Sequence, residues 1–569
     1  MVILLSCRDL LAIDGIVAIM LDDSVAAKPA TRHGSEFMTD TIQSLLRQHV
    51  SDPTIAVKYG GLQWTWSQYL AESAARAAAL ITIADPQRPT HIGSLLGNTP
   101  EMLAQLAAAG LGGYVLCGLN TTRRGDALAA DVRRADCQIV VTDADHRALL
   151  DGLDLAGARI LDTSTPRWAE LVAGDGAFVP YREVDTMDPF MMIFTSGTSG
   201  NPKAVPVSHL MATFAGRSLT ERFGLTEQDT CYVSMPLFHS NAVVAGWAPA
   251  VVSGAAIAPA TFSATGFLDD VRRYHATYMN YVGKPLAYIL ATPERDDDAD
   301  NPLRVAFGNE ANDKDIEEFS RRFGVQVEDG FGSTENAVIV IREPGTPPGS
   351  IGRGAHGVAV YNGETVTECA VARFDAHGAL TNADEAIGEL VNTTGSGFFT
   401  GYYNDPEANA ERMRHGMYWS GDLAYRDSEG WIYLAGRTAD WMRVDGENLT
   451  AAPIERILLR YKAINRVAVY AVPDEYVGDQ VMAALVLRAG DTFDPDAFEA
   501  FLDAQPDLST KARPRYIRIA ADLPSTATHK VLKRQLIDEG TAVGKADTLW
   551  VREPRGSAYH HASGPAKAI

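Results

Sequence analysis

Residues 193–205 read IFTSGTSGNPKAV: two glycines and five hydroxyl or amide side chains around one proline and one lysine. The apolar run PFMMIF before it predicts a short buried strand, and the stretch from Ser208 through HLMATFAGRSLTERF predicts a helix. A strand, a glycine loop and a helix in that order bring backbone N–H groups and hydroxyls up against phosphate oxygens. A Walker-type nucleotide loop is excluded by spacing. Gly197 and Gly200 lie three apart, Lys203 follows Pro202, and Ala204 stands where a magnesium-binding hydroxyl is required. A plain surface loop remains the alternative for this stretch alone.

Working outward, the chain alternates strands and helices to about residue 340. IAVKYGGLQWTW from Ile55 predicts strand, turn and strand, and Thr65 with Gln68 predicts a capping box that opens an alanine-rich helix to Leu80. HIGSLLG, QIVVTD, CYVSM, YMNYVG, RVAFGN and VQVEDG follow as further strands between helical stretches, an α/β pattern with largely parallel sheets. After residue 350 the texture turns glycine-rich and short-stranded, which predicts a small β subdomain. A last α+β segment follows residue 440, with RVAVYAVPDEYVGDQVMAALVLRAG as two strands around an acidic turn. The expected division is an N-terminal domain over 38–437, a boundary at 438–440, a C-terminal domain over 441–545 and a disordered tail over 546–569. Residues 1–37 are set outside the fold, with Met38 opening the folded chain.

At 569 residues the chain exceeds one hydrophobic core. Its 50 basic against 72 acidic residues leave a net charge of −22, which argues against nucleic acid as a partner and makes local cations necessary for any anionic substrate. The five cysteines (Cys7, Cys117, Cys137, Cys231, Cys369) match no metal spacing and fit buried thiols in a reducing cytoplasm. LLAIDGIVAIML near the N-terminus is too short to span a membrane and carries Asp14.

Four further constellations bear on the loop. DGFGSTEN (329–336) follows a predicted strand as a second glycine loop and ends near a carboxylate, Glu335. YWSGDLAYRD places Asp422 behind Gly421 in what reads as a tight turn. GRTADWMRVDGENL joins Arg437 to a glycine-acid cluster at Gly446 and Glu447, and PSTATHKVLKRQL holds Lys530 in a polar turn. Each alone has a bland reading as a turn or a solvated surface.

Together and in this order they resemble the adenylate-forming superfamily of acyl-CoA synthetases, adenylation domains and luciferases, from about residue 39 to residue 536. TSGTSGNPK resembles the family's phosphate loop, FGSTE its adenine and magnesium loop, SGD its ribose-binding aspartate, and GR its hinge approach. The lysine of PSTATHK resembles its adenylation lysine. FGNEANDKDIEEFSRRFGVQVEDGFGSTEN with VDGEN is most similar to the fatty-acid-transport-protein and very-long-chain acyl-CoA synthetase branch.

The resemblance implies an ATP-dependent fatty-acid–CoA ligase: a fatty acid is adenylated with release of pyrophosphate, and its acyl group then passes to the thiol of CoA. Thr195, Ser196, Gly197, Thr198, Ser199 and Gly200 would hold the phosphates, with Lys203 as mobile charge. Glu335, with Thr195, would hold Mg²⁺, a hard ion that prefers oxygen. Gly308, Asn309, Gly330, Phe331 and Gly332 would form the adenine slot, continued by Ser333 and Thr334. Asp422 would accept from the ribose hydroxyls. Lys530 would bridge the carboxylate and the α-phosphate. In the second step a rotated C-terminal domain would present Gly446 to the pantetheine tunnel, with Arg443 near a CoA phosphate.

His239 in PLFHSN stands where the family has a histidine at the acyl–CoA junction; a core histidine is the alternative. NAVVAGWAPAVV (241–252) reads as an apolar, small-residue helix, either ordinary core or an acyl-tunnel wall with Trp247 as a gate. Three departures stand out: Phe331 replaces the commoner tyrosine, His529 replaces a glycine before the lysine, and Ala439 takes the hinge position where Asp or Lys is common. Two other readings remain: an acyl-AMP ligase that hands its adenylate to a carrier protein, and a lipid-uptake or lipid-binding protein. Peripheral membrane contact and a homodimer are compatible with the main reading.

Overall fold

The computed structural model describes residues 39–174, 178–195, 202–311, 313–343, 345–376, 378, 380–437, 441–444, 447–474, 478–525, 531–542, 544, 546–553 and 558–562. The described chain forms two compact units, one running to residue 339 with 396–413 added, the other made of 340–395 and the chain from 414 onward. The boundary expected at 438–440 falls within the second unit, on residues outside the described ones.

The first unit holds two sheets. One runs Arg159–Asp162, Ile139–Thr142, His91–Leu95, Val115–Gly118, Pro189–Thr195, Lys203–Ser208, parallel except for the last pair. The other runs Gln326–Asp329, Val305–Asn309, Tyr278–Val282, Thr230–Val233, Ala256–Pro259, Ile55–Tyr59, Leu62–Thr65, parallel up to its terminal hairpin. Helices cover these strands, so several (IVVT, VLCG, TCYV) are buried along their whole length, as parallel strands must be.

Local chemistry explains the helices. Trp66–Ile83 begins in the expected capping box, with Thr65 accepting from the Gln68 backbone and the Gln68 side chain accepting in return. Pro100–Gly112 has Thr99 as its cap, proline in its first turn and Gly113 in the left-handed region at its end. Every residue from Met102 to Gly112 is buried, which suits its alanine and leucine content.

The second unit also holds two sheets. An antiparallel sheet runs Val340–Ile341, Gly352–Gly354, Trp431–Arg437, Met417–Arg426, Gly388–Asn392, Val358–Asn362, Thr367–Glu368, the β subdomain expected after residue 350. The other runs Glu447–Thr450, Trp441–Val444, Gly478–Leu487, Tyr516–Ile519, Thr548–Arg552, Tyr559–His561, with Ile464–Asp474 also antiparallel to Gly478–Leu487. The expected disordered tail over 546–569 is corrected here: Thr548–Arg552 and Tyr559–His561 are strands of this sheet. Their anchors are Leu549 and Tyr559, 3% and 4% exposed.

Candidate active site

The first glycine loop leaves strand Pro189–Thr195 as expected, but it does not lead straight into a helix. Lys203–Ser208 is a strand antiparallel to Pro189–Thr195, with Thr195 opposite Lys203, and the helix His209–Phe223 starts only after its cap, Ser208. The loop therefore closes a hairpin. Pro206 hides this strand in the sequence; it is tolerated because the strand is the sheet's edge, where a missing N–H costs no ladder bond. Ser196, Gly197, Thr198, Ser199 and Gly200 lie outside the described residues.

At the hairpin's return, Lys203 is 5% exposed. Its Nζ lies 3.4 Å from Glu411 and 5.0 Å from the centre of the Tyr402 ring. The Tyr402 hydroxyl donates to Glu335 Oε1 at 2.7 Å. Burial, with the neighbouring Glu335 charge, pushes the Tyr402 phenol up, so it stays a donor. The structure thus joins Lys203 and Glu335, one from each glycine loop, through a tyrosine that sequence reasoning missed. Its only signal was an aromatic pair in the turn-rich GYYNDP at 401–406.

The second loop leaves the carboxyl ends of parallel strands, where open α/β sheets bind ligands. Gly308 is required there by close approach: a Cβ would stand 2.2 Å from the Tyr281 carbonyl oxygen. The Gly330 N–H donates to the Gly308 oxygen at 2.8 Å, which ties the two halves of the expected adenine slot together. Asn309 Oδ1 is buried with no partner among the described residues, and Phe331 is half-buried. Gly332 is exposed, Ser333 accepts from the Asn336 N–H, and Thr334 is hydrogen-bonded to Ser240 at 3.1 Å.

The apolar segment after His239 is helical, as expected, but broken by a π-helical turn over Val243–Trp247. Pro249 explains the break. It has no N–H for the Ala245 carbonyl, and that oxygen accepts instead from the Tyr278 hydroxyl at 2.7 Å. Trp247 is 0% exposed, its ring stacks on Phe190 at 5.6 Å, and its indole N–H donates to the Tyr69 hydroxyl at 3.1 Å. Its face and its polar edge both meet core residues, the packing that the core alternative describes.

In the second unit, Asp422 does not sit in a turn. It lies within strand Met417–Arg426, directly opposite Arg437, and Arg437 Nε is 3.2 Å from its Oδ1. Gly421, in the left-handed region at φ 77°, and a bulge at Leu423/Ala424 produce the turn-like sequence inside a strand. Two residues expected from separate motifs are thereby brought together. Arg443 lies on strand Trp441–Val444 opposite Asn448, while Gly446 and Lys530 lie outside the described residues.

Two histidines make acid stability a prediction. His209 is 1% exposed; burial pushes its ring down to about 4, with Asp188 opposing and Arg182 adding. His239, whose Nε2 is buried without a partner among the described residues, is pushed down to about 4 by burial alone. Both folded values lie below 6.5, so the unfolded chain binds more protons between 6.5 and about 4. Their stability contribution is full above that window and is lost as pH falls through it, on the order of 3 kcal/mol per ring. Asp131 has the opposite sign, since burial raises its carboxyl from 3.8 to about 6 against Arg123, and it offsets part of the loss. Urea midpoints should fall between about pH 7 and pH 5, and His209→Asn should flatten that fall. Equal midpoints at the two pH values would contradict this.

The AMP-binding enzyme family matches residues 47–403, and the AMP-binding enzyme C-terminal domain matches residues 453–530. The chain is 52% identical to the medium/long-chain-fatty-acid–CoA ligase FadD17 of Mycobacterium tuberculosis (strain ATCC 25618 / H37Rv) over 488 residues, 85% of this chain and 93% of that protein. It is 44% identical to the steroid-22-oyl-CoA synthetase of Rhodococcus jostii (strain RHA1) over 541 residues, 94% of this chain and 97% of that one. Among solved structures, the anthranilate CoA ligase AuaEII in complex with anthranoyl-AMP superposes with TM-score 0.77 at 18% identity, covering 88% of this chain and 98% of that one. ATP-bound MatB from Rhodopseudomonas palustris gives 0.75 at 22%, covering 88% and 99%. These two carry the fold alone.

Proposed function

Because this chain belongs to the AMP-binding enzyme family, we propose that it is an AMP-forming acid–CoA ligase for medium- to long-chain aliphatic acids. The observation that carries the chemistry is the joining of Lys203 and Glu335 through Tyr402 beside the phosphate hairpin. The name of the mycobacterial relative supports the substrate class.

In the first step a carboxylate oxygen of the acid attacks the α-phosphorus of ATP, the bond to the bridging oxygen breaks, and pyrophosphate leaves. Lys203 takes the charge of the phosphates. Glu335 is a buried carboxylate fixed by one hydrogen bond. Among the described residues no group of three His, Cys, Asp or Glu side chains could cage a metal. One fixed carboxylate completed by phosphate oxygens suits Mg²⁺, which is bound through few protein ligands in nucleotide sites. When bound, Mg²⁺ neutralises charge on the phosphates. Asp422, oriented by Arg437, accepts from the ribose hydroxyls; Lys530 neutralises the carboxylate and α-phosphate as they approach.

In the second step the thiolate of CoA attacks the acyl carbon and AMP leaves with the bonding pair. Withdrawal of Lys530 and entry of Gly446 on a moving C-terminal domain, pivoting at 438–440, would separate the two steps.

A second reading of the acid is a steroid side-chain carboxylate, favoured by the Rhodococcus relative over nearly the whole chain. Comparing kcat/KM from acetate to roughly twenty carbons, with one steroid side-chain acid, tests the substrate class. Each buried methylene is worth about 0.8 kcal/mol, roughly fourfold, so specificity should climb with length until the tunnel ends. A maximum at the shortest acids would contradict the aliphatic reading, and a steroid acid surpassing every aliphatic one would establish the second.

A further inference from the structure

The short helix Pro406–Arg412 and the turn before it touch both charged groups of the phosphate site. Asn409 clamps Tyr402 from both sides: its Oδ1 accepts from the Tyr402 N–H at 2.5 Å, and its Nδ2 donates to the Tyr402 oxygen at 3.0 Å. Arg412 Nε donates to the Tyr402 hydroxyl at 3.2 Å, which leaves that hydroxyl's own proton for Glu335. Phe399 packs edge-on to the ring at 4.9 Å, and Tyr402 is 3% exposed. Backbone, ring and hydroxyl of this tyrosine are therefore all held. The helix is anchored in turn by its cap Asp405, which takes Arg134 at 2.8 Å.

Glu411 sits on the same helix and contrasts with the group it faces. The Lys203 side chain is 6% exposed, whereas that of Glu411 is 71% exposed. A buried ammonium needs an anion, but a carboxylate already in water gives one up at little cost. A triphosphate brings far more negative charge to the same ammonium.

We propose that Tyr402 is a positioning residue that fixes the Glu335 carboxylate for the magnesium–triphosphate, while Glu411 holds Lys203 until the phosphates displace it. The proposal rests on the reading of Lys203 and Glu335 as the phosphate and metal groups. It adds that both are set by one segment, 401–412, far from either glycine loop in sequence. Loss of the hydroxyl frees the carboxylate to leave the metal-ready position without touching Lys203. Loss of the Glu411 charge removes a competitor of ATP.

The test is equilibrium binding of ATP to the full chain by calorimetry, with and without Mg²⁺ and without acid, so that no turnover is read. In Tyr402→Phe the gain in ATP affinity on adding Mg²⁺ should shrink by about tenfold, the weight of one hydrogen bond to a charged group. Its affinity without Mg²⁺ should match the wild type, a split that general destabilisation would not produce. Glu411→Gln, which keeps the shape of an exposed side chain and removes its charge, should bind ATP severalfold more tightly with or without Mg²⁺. A wild-type magnesium response in Tyr402→Phe overturns the positioning role, and unchanged or weaker binding in Glu411→Gln overturns the placeholder role. If ATP binding by the wild type itself ignores Mg²⁺, the reading of Glu335 fails and takes the Tyr402 role with it.

Discussion

Replacing Lys530 with alanine is expected to slow acyl-adenylate formation by about a hundred- to a thousandfold, while acyl transfer from supplied acyl-AMP to CoA continues near the wild-type rate. The magnitude follows from one preorganised charge aimed at the transferring centre, worth about 3–4 kcal/mol. The asymmetry follows from the two steps. The first brings an anionic carboxylate against an anionic phosphate and needs a cation between them. The second joins a thiolate to the uncharged acyl carbon of the adenylate, set back from its single phosphate charge, so the repulsion to overcome is smaller. Lys530 stands in the polar PSTATHK segment of the sequence, ahead of helix Lys533–Glu539. Single-turnover measurements of each half-reaction check this. An equal fall in both would contradict a lysine that serves the first step alone.

Trp247→Ala should cost about 3–5 kcal/mol of stability, the range for emptying a large buried aromatic site. The cavity would face Phe190 and would leave the Tyr69 hydroxyl without the indole N–H. Trp247→Phe keeps a ring against Phe190 and loses only that hydrogen bond, so it should cost about 1 kcal/mol. Denaturant midpoints measure both. The same pair of variants decides between core and gate, because a core tryptophan changes stability and leaves chain-length preference alone. A shifted chain-length optimum in the stable Trp247→Phe variant would establish the gate.

Much of the fold was legible because parallel strands buried on both faces write themselves as apolar runs. QIVVTD, CYVSM and RVAFGN each cover all or most of a strand, as expected of them. The capping box at Thr65 and Gln68 is local chemistry and was equally readable. Strand Lys203–Ser208 was hidden because Pro206 and two polar ends look like loop, and only the edge position of the strand makes them acceptable. Asp422 was misplaced for a related reason: a glycine at positive φ within a strand has the same local signature as a turn. The tail strands were missed because the first, Thr548–Arg552, finds its partner Tyr516–Ile519 well back in the chain, and the second, Tyr559–His561, pairs only with the first.

The candidate site divides the same way. Lys203, Glu335 and Asp422 are singled out in the sequence by the resemblance of their glycine loops to the family's motifs, taken together and in order. The groups that orient them could not be: Tyr402 reaches Glu335 and Arg437 reaches Asp422 only through the tertiary fold. Nothing in GYYNDPEANAER by itself distinguishes Tyr402, which meets the site, from Tyr403, whose hydroxyl goes to Asp136 instead.

The most direct measurement of the central claim is acid-dependent exchange of labelled pyrophosphate into ATP, followed by thioester analysis when CoA is added. The account predicts exchange with medium- and long-chain acids in the absence of CoA, and conversion of the trapped adenylate to acyl-CoA once CoA is present. Absence of exchange with every acid would contradict the adenylating reading. Exchange that never leads to a CoA thioester would contradict the ligase and leave an enzyme that hands its adenylate to another acceptor.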